Sequence, residues 1–173
     1  VPVQVELSHE FRYRDPILTD RTLVVAISQS GETMDTLMAT RYAKEHGAKV
    51  LAICNTQGAT LARESDAVIY THAGPEVAVA STKALTAQIT AGYLLGLLLA
   101  QQRETLANGE LTKLGKELLR MPARVSEVLA NLDQARQLGR DFANAKSVLF
   151  LGRNVGFPIA MEGALKLKEL AYI

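Results

Sequence analysis

Short aliphatic runs alternate with helical stripes along this chain, and that alternation limits the fold more than any other feature. TLVVAI at 22–27, KVLAIC at 49–54 and SVLFL at 147–151 are continuously apolar, as strands covered on both faces are. Residues 67–71 read as a further strand. Behind the first run, Met34, Leu37, Met38 and Tyr42 recur at helical spacing until Gly47. A loop and a short helix fill 55–65. A long helix over 76–102 has an apolar second half that belongs at the centre. Further helices are predicted over 106–119, 122–145 and 159–170. In the second of these, Val125, Val128, Leu129, Leu132 and Leu138 form a stripe, and Pro122 suits the first turn. At the start, Val3, Val5 and Leu7 alternate like a half-buried strand, and 8–20 reads as a loop. Strands alternating with helices predict an α/β fold with a mostly parallel sheet. Ligands of such sheets sit beyond the carboxyl ends of the strands.

Composition narrows the function classes. The 173 residues suit about one domain, and at 48% hydrophobic they can bury enough surface to exclude disorder. A net charge of +1 argues against a nucleic-acid module, which carries a basic field. Cys54 is the single cysteine, which rules out an intrachain disulfide and a Cys-rich zinc site. It points to a reducing, cytoplasmic setting. His9, His46 and His72 are too scattered for a metal cluster, and each reads as solvated or capping. With no Trp, the core must be aliphatic and Ala-rich. The apolar run at 89–100 is shorter than the roughly 20 residues of a membrane span, so a buried helix is expected there. No targeting segment is seen, and with no first Met the chain is expected to begin inside a longer one.

Three clusters fall where ligands bind. Ser28-Gln29-Ser30-Gly31-Glu32-Thr33 follows a strand and opens a helix. Its hydroxyls, its amide and the helix N-terminus suit a phosphate monoester. Gly31 would let backbone approach a ligand. The plainer alternative is a capped turn. No dinucleotide or P-loop glycine pattern occurs. The second cluster is Gly74-Pro75-Glu76 with the VAVASTK segment at 77–83. There Glu76 suits a helix start, and Ser81 and Thr82 can reach sugar hydroxyls. The third is on the last helix, where Glu162, Lys166 and Glu169 share a face. A carboxylate beside an ammonium can shuttle protons if burial tunes both. The alternative is a solvated face.

In order along the chain, SQSGET at 28–33, LAICN at 51–55, AGPEV at 73–77, VASTK at 79–83 and EGALKLKE at 162–169 resemble the sugar isomerase (SIS) region of the glutamine–fructose-6-phosphate aminotransferases. The resemblance covers nearly the whole chain. It implies a three-layer αβα sandwich with a parallel, flavodoxin-like sheet. It also implies a parent enzyme that makes glucosamine 6-phosphate from fructose 6-phosphate and glutamine, with no cofactor and no metal. Ser28, Gln29, Ser30 and Thr33 match the family's phosphate loop, and Val79 and Ser81 its sugar-contacting segment. Glu169 would be the base that moves a proton beside the carbonyl, and Lys166 would assist transfers at the sugar oxygens. The partners implied are a hexose 6-phosphate and a second copy of the chain, with no nucleic acid and no membrane.

The departures are as informative. The chain lacks the family's glutaminase, its Gly-Thr-Ser loop, its ring-opening histidine and its Schiff-base lysine, so the fragment itself is expected to be inactive. Residues 1–103 correspond to a first SIS domain without its first strand. Residues 104–173 correspond to a helical connection and the opening strand and helix of a second. The strand at 147–151 is expected to fill the gap in the first sheet, within the chain or by exchange between chains. A regulatory sugar-phosphate-binding SIS module is the alternative function, and Lys166 with Glu169 favours the enzyme.

Overall fold

The structure, a computed structural model, describes residues 1–173. In chain order its elements are α1 (Ser8–Phe11), β1 (Leu23–Ser28), α2 (Met34–Glu45), β2 (Lys49–Cys54), α3 (Thr60–Glu64), β3 (Ala67–Tyr70), α4 (Lys83–Gln102), α5 (Asn108–Leu119), α6 (Met121–Ala130), α7 (Asp133–Asp141) and α8 (Gly156–Ala171). The chain divides into two compact units. The first is 1–77 with 81–96, and the second is 78–80 with 97–173.

The first unit holds a parallel sheet in the order β1-β2-β3. Val24 aligns with Val50, Ser28 with Cys54, and Ile53 with Ile69. The carboxyl ends of all three strands therefore meet at one edge. β2 is central, and Val50, Ala52, Ile53 and Cys54 are almost wholly enclosed. Ala26, Leu37, Ala43, Ala48 and Leu61 complete an aliphatic core in which alanine is prominent, as a chain without Trp requires. Helix α2 ends through Gly47, whose φ of 85° is left-handed. The Gly47 N–H donates to Lys44 O and the Ala48 N–H to Ala43 O. That pair of bonds satisfies carbonyls a helix end would otherwise leave open.

Asp66 ties β2 to the start of β3 at the far end of the sheet. Its backbone N–H donates to Val50 O at 2.9 Å, and its carboxylate accepts from the Val50 N–H at 2.8 Å. These bonds, with Lys44 and Lys49 nearby, hold the carboxyl below the usual carboxylate range.

Several expectations are corrected. β1 is covered on one face only: Leu23 and Ile27 are 48% and 52% exposed. Its sequence resembles that of β2, but it has one strand neighbour instead of two. Residues 2–7 are no strand, and Val5 is 92% exposed. Residues 147–151 join no sheet either, and Leu149 is 86% exposed. Within the chain they pair with neither 22–27 nor 3–7. Alternation and β-branching make a strand only where another strand supplies a hydrogen-bonding ladder. The loop at 8–20 contains the short helix α1.

The helices are corrected in detail. α4 begins at Lys83, seven residues later than predicted. The left-handed Ser81 (φ 57°) breaks the helical path before it. Only Ala84 and Ala91 of α4 are buried, so its apolar second half is not central. By length and composition this 20-residue helix could cross a membrane, more than the twelve-residue count at 89–100 allowed. The predicted helix over 122–145 is two, α6 and α7. Asn131 leaves the helical region, and its Nδ2 donates to Glu127 O at 2.8 Å, the competition with backbone that makes Asn a helix terminator. α8 starts three residues early, with Pro158 in its first turn.

Candidate functional site at the strand ends

The turn from β1 to α2 is organised by its own hydroxyls. The Gly31 N–H donates to Ser28 Oγ at 3.0 Å, and the Glu32 N–H to Ser30 Oγ at 3.2 Å. Thr33 Oγ1 lies 3.3 Å from Ser28 Oγ. Thr33 occupies the cap position of α2 without capping it by its side chain. A simple capping turn would send that hydroxyl to the helix N–H groups. Here no side chain caps the N-terminal, positive dipole end of α2, which lies beside the hydroxyls of Ser28, Ser30 and Thr33.

Gly31 has a different reason from the one expected. Its φ is 68°, and a Cβ there would come within 2.7 Å of both Ala59 Cβ and Cys54 Sγ. The glycine admits protein packing on that side. Cys54 is fully enclosed. Burial pushes its thiol up and keeps it protonated, as an inert core thiol should be.

Neighbouring loops hold this turn. Gln29 O accepts from the Asn55 N–H at 3.1 Å, and Gly31 O from the Leu61 N–H at 3.0 Å. The Glu32 carboxylate accepts from the Thr60 N–H at 2.7 Å, which holds its carboxyl below the usual range. Asn55 also reaches the loop after β3. Its Oδ1 accepts from Thr71 Oγ1 and the Ala73 N–H, both at 2.9 Å, and its Nδ2 donates to Gly74 O at 2.8 Å. Farther on, Glu76 turns its carboxylate to the start of α4. It accepts from the Thr82 and Ala84 N–H groups at 3.0 Å each and from Thr82 Oγ1 at 3.1 Å. Glu76 thus serves a helix start, as its type suggested, but from seven residues before the helix begins. Sequence reasoning missed Asn55 and Glu32. The one available signal for Asn55 was its place directly after a buried strand.

The other predicted residues are distributed between the units. Ser81 is half-buried and belongs to the first unit with residues 28–33. Val79 belongs to the second and is 94% exposed. On α8, Lys166 Nζ sits 2.6 Å from Glu162 Oε1, the two side chains being 26% and 30% exposed. Glu169 lies one turn beyond Lys166 and is exposed. The ammonium therefore faces Glu162. His46 packs on the Tyr42 ring and bonds Tyr42 O through Nδ1, a capping role. No group of three or more His, Cys, Asp or Glu side chains comes together to hold a metal.

A family model for the SIS domain matches residues 1–98, more than half of the chain. The chain belongs to the SIS-domain family. All 173 residues align with the glutamine–fructose-6-phosphate aminotransferase (isomerizing) of Corynebacterium efficiens at 65% identity, and with that of Corynebacterium glutamicum at 64%. In both cases they span 28% of the relative's length. The solved C-terminal domain of glucosamine-fructose-6-phosphate aminotransferase from Francisella tularensis superposes with a TM-score of 0.96 at 42% identity. That match covers all of this chain and 49% of the solved one. The SIS chain is therefore similar, over its whole length, to the isomerase region of these enzymes.

Proposed function

We propose that this SIS chain is the sugar-phosphate-binding, isomerising part of an enzyme that makes glucosamine 6-phosphate from fructose 6-phosphate and glutamine. The hydroxyl-lined turn at the open end of α2 carries the proposal. It is an anion site built at the carboxyl ends of parallel strands, in a chain whose relatives are named for a phosphosugar reaction. Ser28, Gln29, Ser30 and Thr33 hold the phosphate, and Val79 and Ser81 contact the sugar. Glu169 moves the proton beside the carbonyl, and Lys166 assists transfers at the sugar oxygens. A carboxylate and an ammonium one turn apart on one helix suit that pair of tasks. The relatives' greater length supplies what the 173 residues lack, so the chain on its own is inactive.

Residues 1–103 form most of one SIS domain, and 104–173 form the connection and the opening of a second. The enzyme works in the cytoplasm as a homodimer, apart from nucleic acid and membrane.

Thermal shift of the 173-residue chain tests the binding half of the proposal. Fructose 6-phosphate and glucosamine 6-phosphate should each raise the melting temperature, as any ligand selective for the folded state does. An adenine nucleotide should not. A shift with the nucleotide alone would overturn the proposal.

A further inference from the structure

The strongest unassigned arrangement is the one around Asn55. Its backbone N–H holds the phosphate loop through Gln29 O, while its side chain holds the loop after β3 through Thr71, Ala73 and Gly74. An Asn amide offers two donors and two acceptor sites, and three of the four are used on that second loop. The loop needs such a clamp. His72 and Gly74 both sit at left-handed φ, 51° and 70°, and a non-glycine residue holds that region only where its surroundings impose it. Directly after Gly74 come Pro75 and Glu76, and Glu76 fixes the start of α4 at Thr82 and Ala84, beside Ser81. A path of hydrogen bonds and chain thus runs from the 28–33 turn through Asn55, Gly74 and Glu76 to Thr82 and Ala84 beside Ser81, all of them in the first unit.

We infer that Asn55 is a positioning residue that sets the Ser81 segment against the phosphate loop, and so gives the site its preference for a hexose 6-phosphate over a bare phosphate. The inference rests on the proposed function. Two segments hold the two halves of one ligand, and Asn55 is bonded to the first and to the loop that leads through Pro75 and Glu76 to the second. Removing its side chain leaves the backbone bond to Gln29 in place, so the phosphate loop keeps its geometry. Only the second loop loses its register.

The test is titration calorimetry on the full-length protein carrying this sequence, with fructose 6-phosphate and inorganic phosphate as the two ligands. Asn55→Ala should weaken fructose 6-phosphate by about tenfold, the scale of one or two lost hydrogen bonds. Inorganic phosphate should stay within about twofold, a range in which ΔG hardly moves. Asn55→Ser adds no charge and keeps a short hydroxyl at the position, so it should fall between Asn55→Ala and wild type. It also serves as the measurement if Asn55→Ala fails to fold. Thr33→Ala, by contrast, should weaken both ligands together. Equal weakening of the two ligands by the Asn55 variants, or no change in either, would overturn the inference while leaving the phosphate site standing. A wild-type protein that binds neither ligand would overturn the phosphate-site proposal itself and the inference with it.

Discussion

Single carboxylates hold this structure at places where backbone groups would otherwise lack partners. Glu32 joins the 28–33 turn to the start of α3, and Asp66 joins β2 to β3 at the opposite end of the sheet. Hydrogen bonding to the charged form holds both carboxyls below their usual range. A carboxyl whose folded pKa is depressed contributes stability that is complete above its unfolded pKa of about 4. That stability drains away as pH falls through the folded value. Urea titrations from neutral pH down to about 3 should therefore show falling stability below the ordinary carboxylate range. Asp66→Asn should make that fall shallower. An Asp66→Asn slope equal to wild type would contradict the assignment. The hydroxyls of 28–33 were legible because their chemistry is local to six residues. Asn55 and Glu32 were not, because each acts on partners 16 to 28 positions away, and no local pattern encodes such a partner.

At the scale of elements, strands with similar sequences have different fates. TLVVAI and KVLAIC both read as strands covered on two faces. The second is, at the centre of the sheet, whereas the first is an edge strand with half-exposed Leu23 and Ile27. The difference is readable in energy. Ile53→Ala, in the fully enclosed centre, should cost about 2–5 kcal/mol. Ile27→Ala, on the uncovered face of β1, should cost about 1 kcal/mol or less. Denaturant midpoints of the two variants check this, and equal losses would mean that Ile27 is covered after all. Residues 2–7 and 147–151 carry strand-like patterns and form no strand. Periodicity states which face a segment would bury if it were paired, and pairing is decided by another part of the chain. Helices depend on their own hydrogen bonds, so α2 and α5 were legible nearly to their ends. The break between α6 and α7 was hidden in a single Asn side chain.

Across the whole molecule, the α/β class followed from alternation alone, and the SIS assignment from five motifs in order. The family match and the likeness to a solved aminotransferase domain bear out both. The proposed chemistry assigns phosphate binding to the first unit and proton transfer to α8 in the second. Glu169 is the residue on which that proposal turns. In the full-length protein, Glu169→Gln removes the base and keeps the shape of the side chain. Rates of hexose isomerisation and of glutamine hydrolysis, measured on the same preparation, give the most direct test. Isomerisation should fall by about 100-fold or more, the scale of a lost general base, while glutamine hydrolysis stays close to wild type. Equal loss of both activities, or full isomerisation without the carboxylate, would contradict the assignment of proton transfer to this helix.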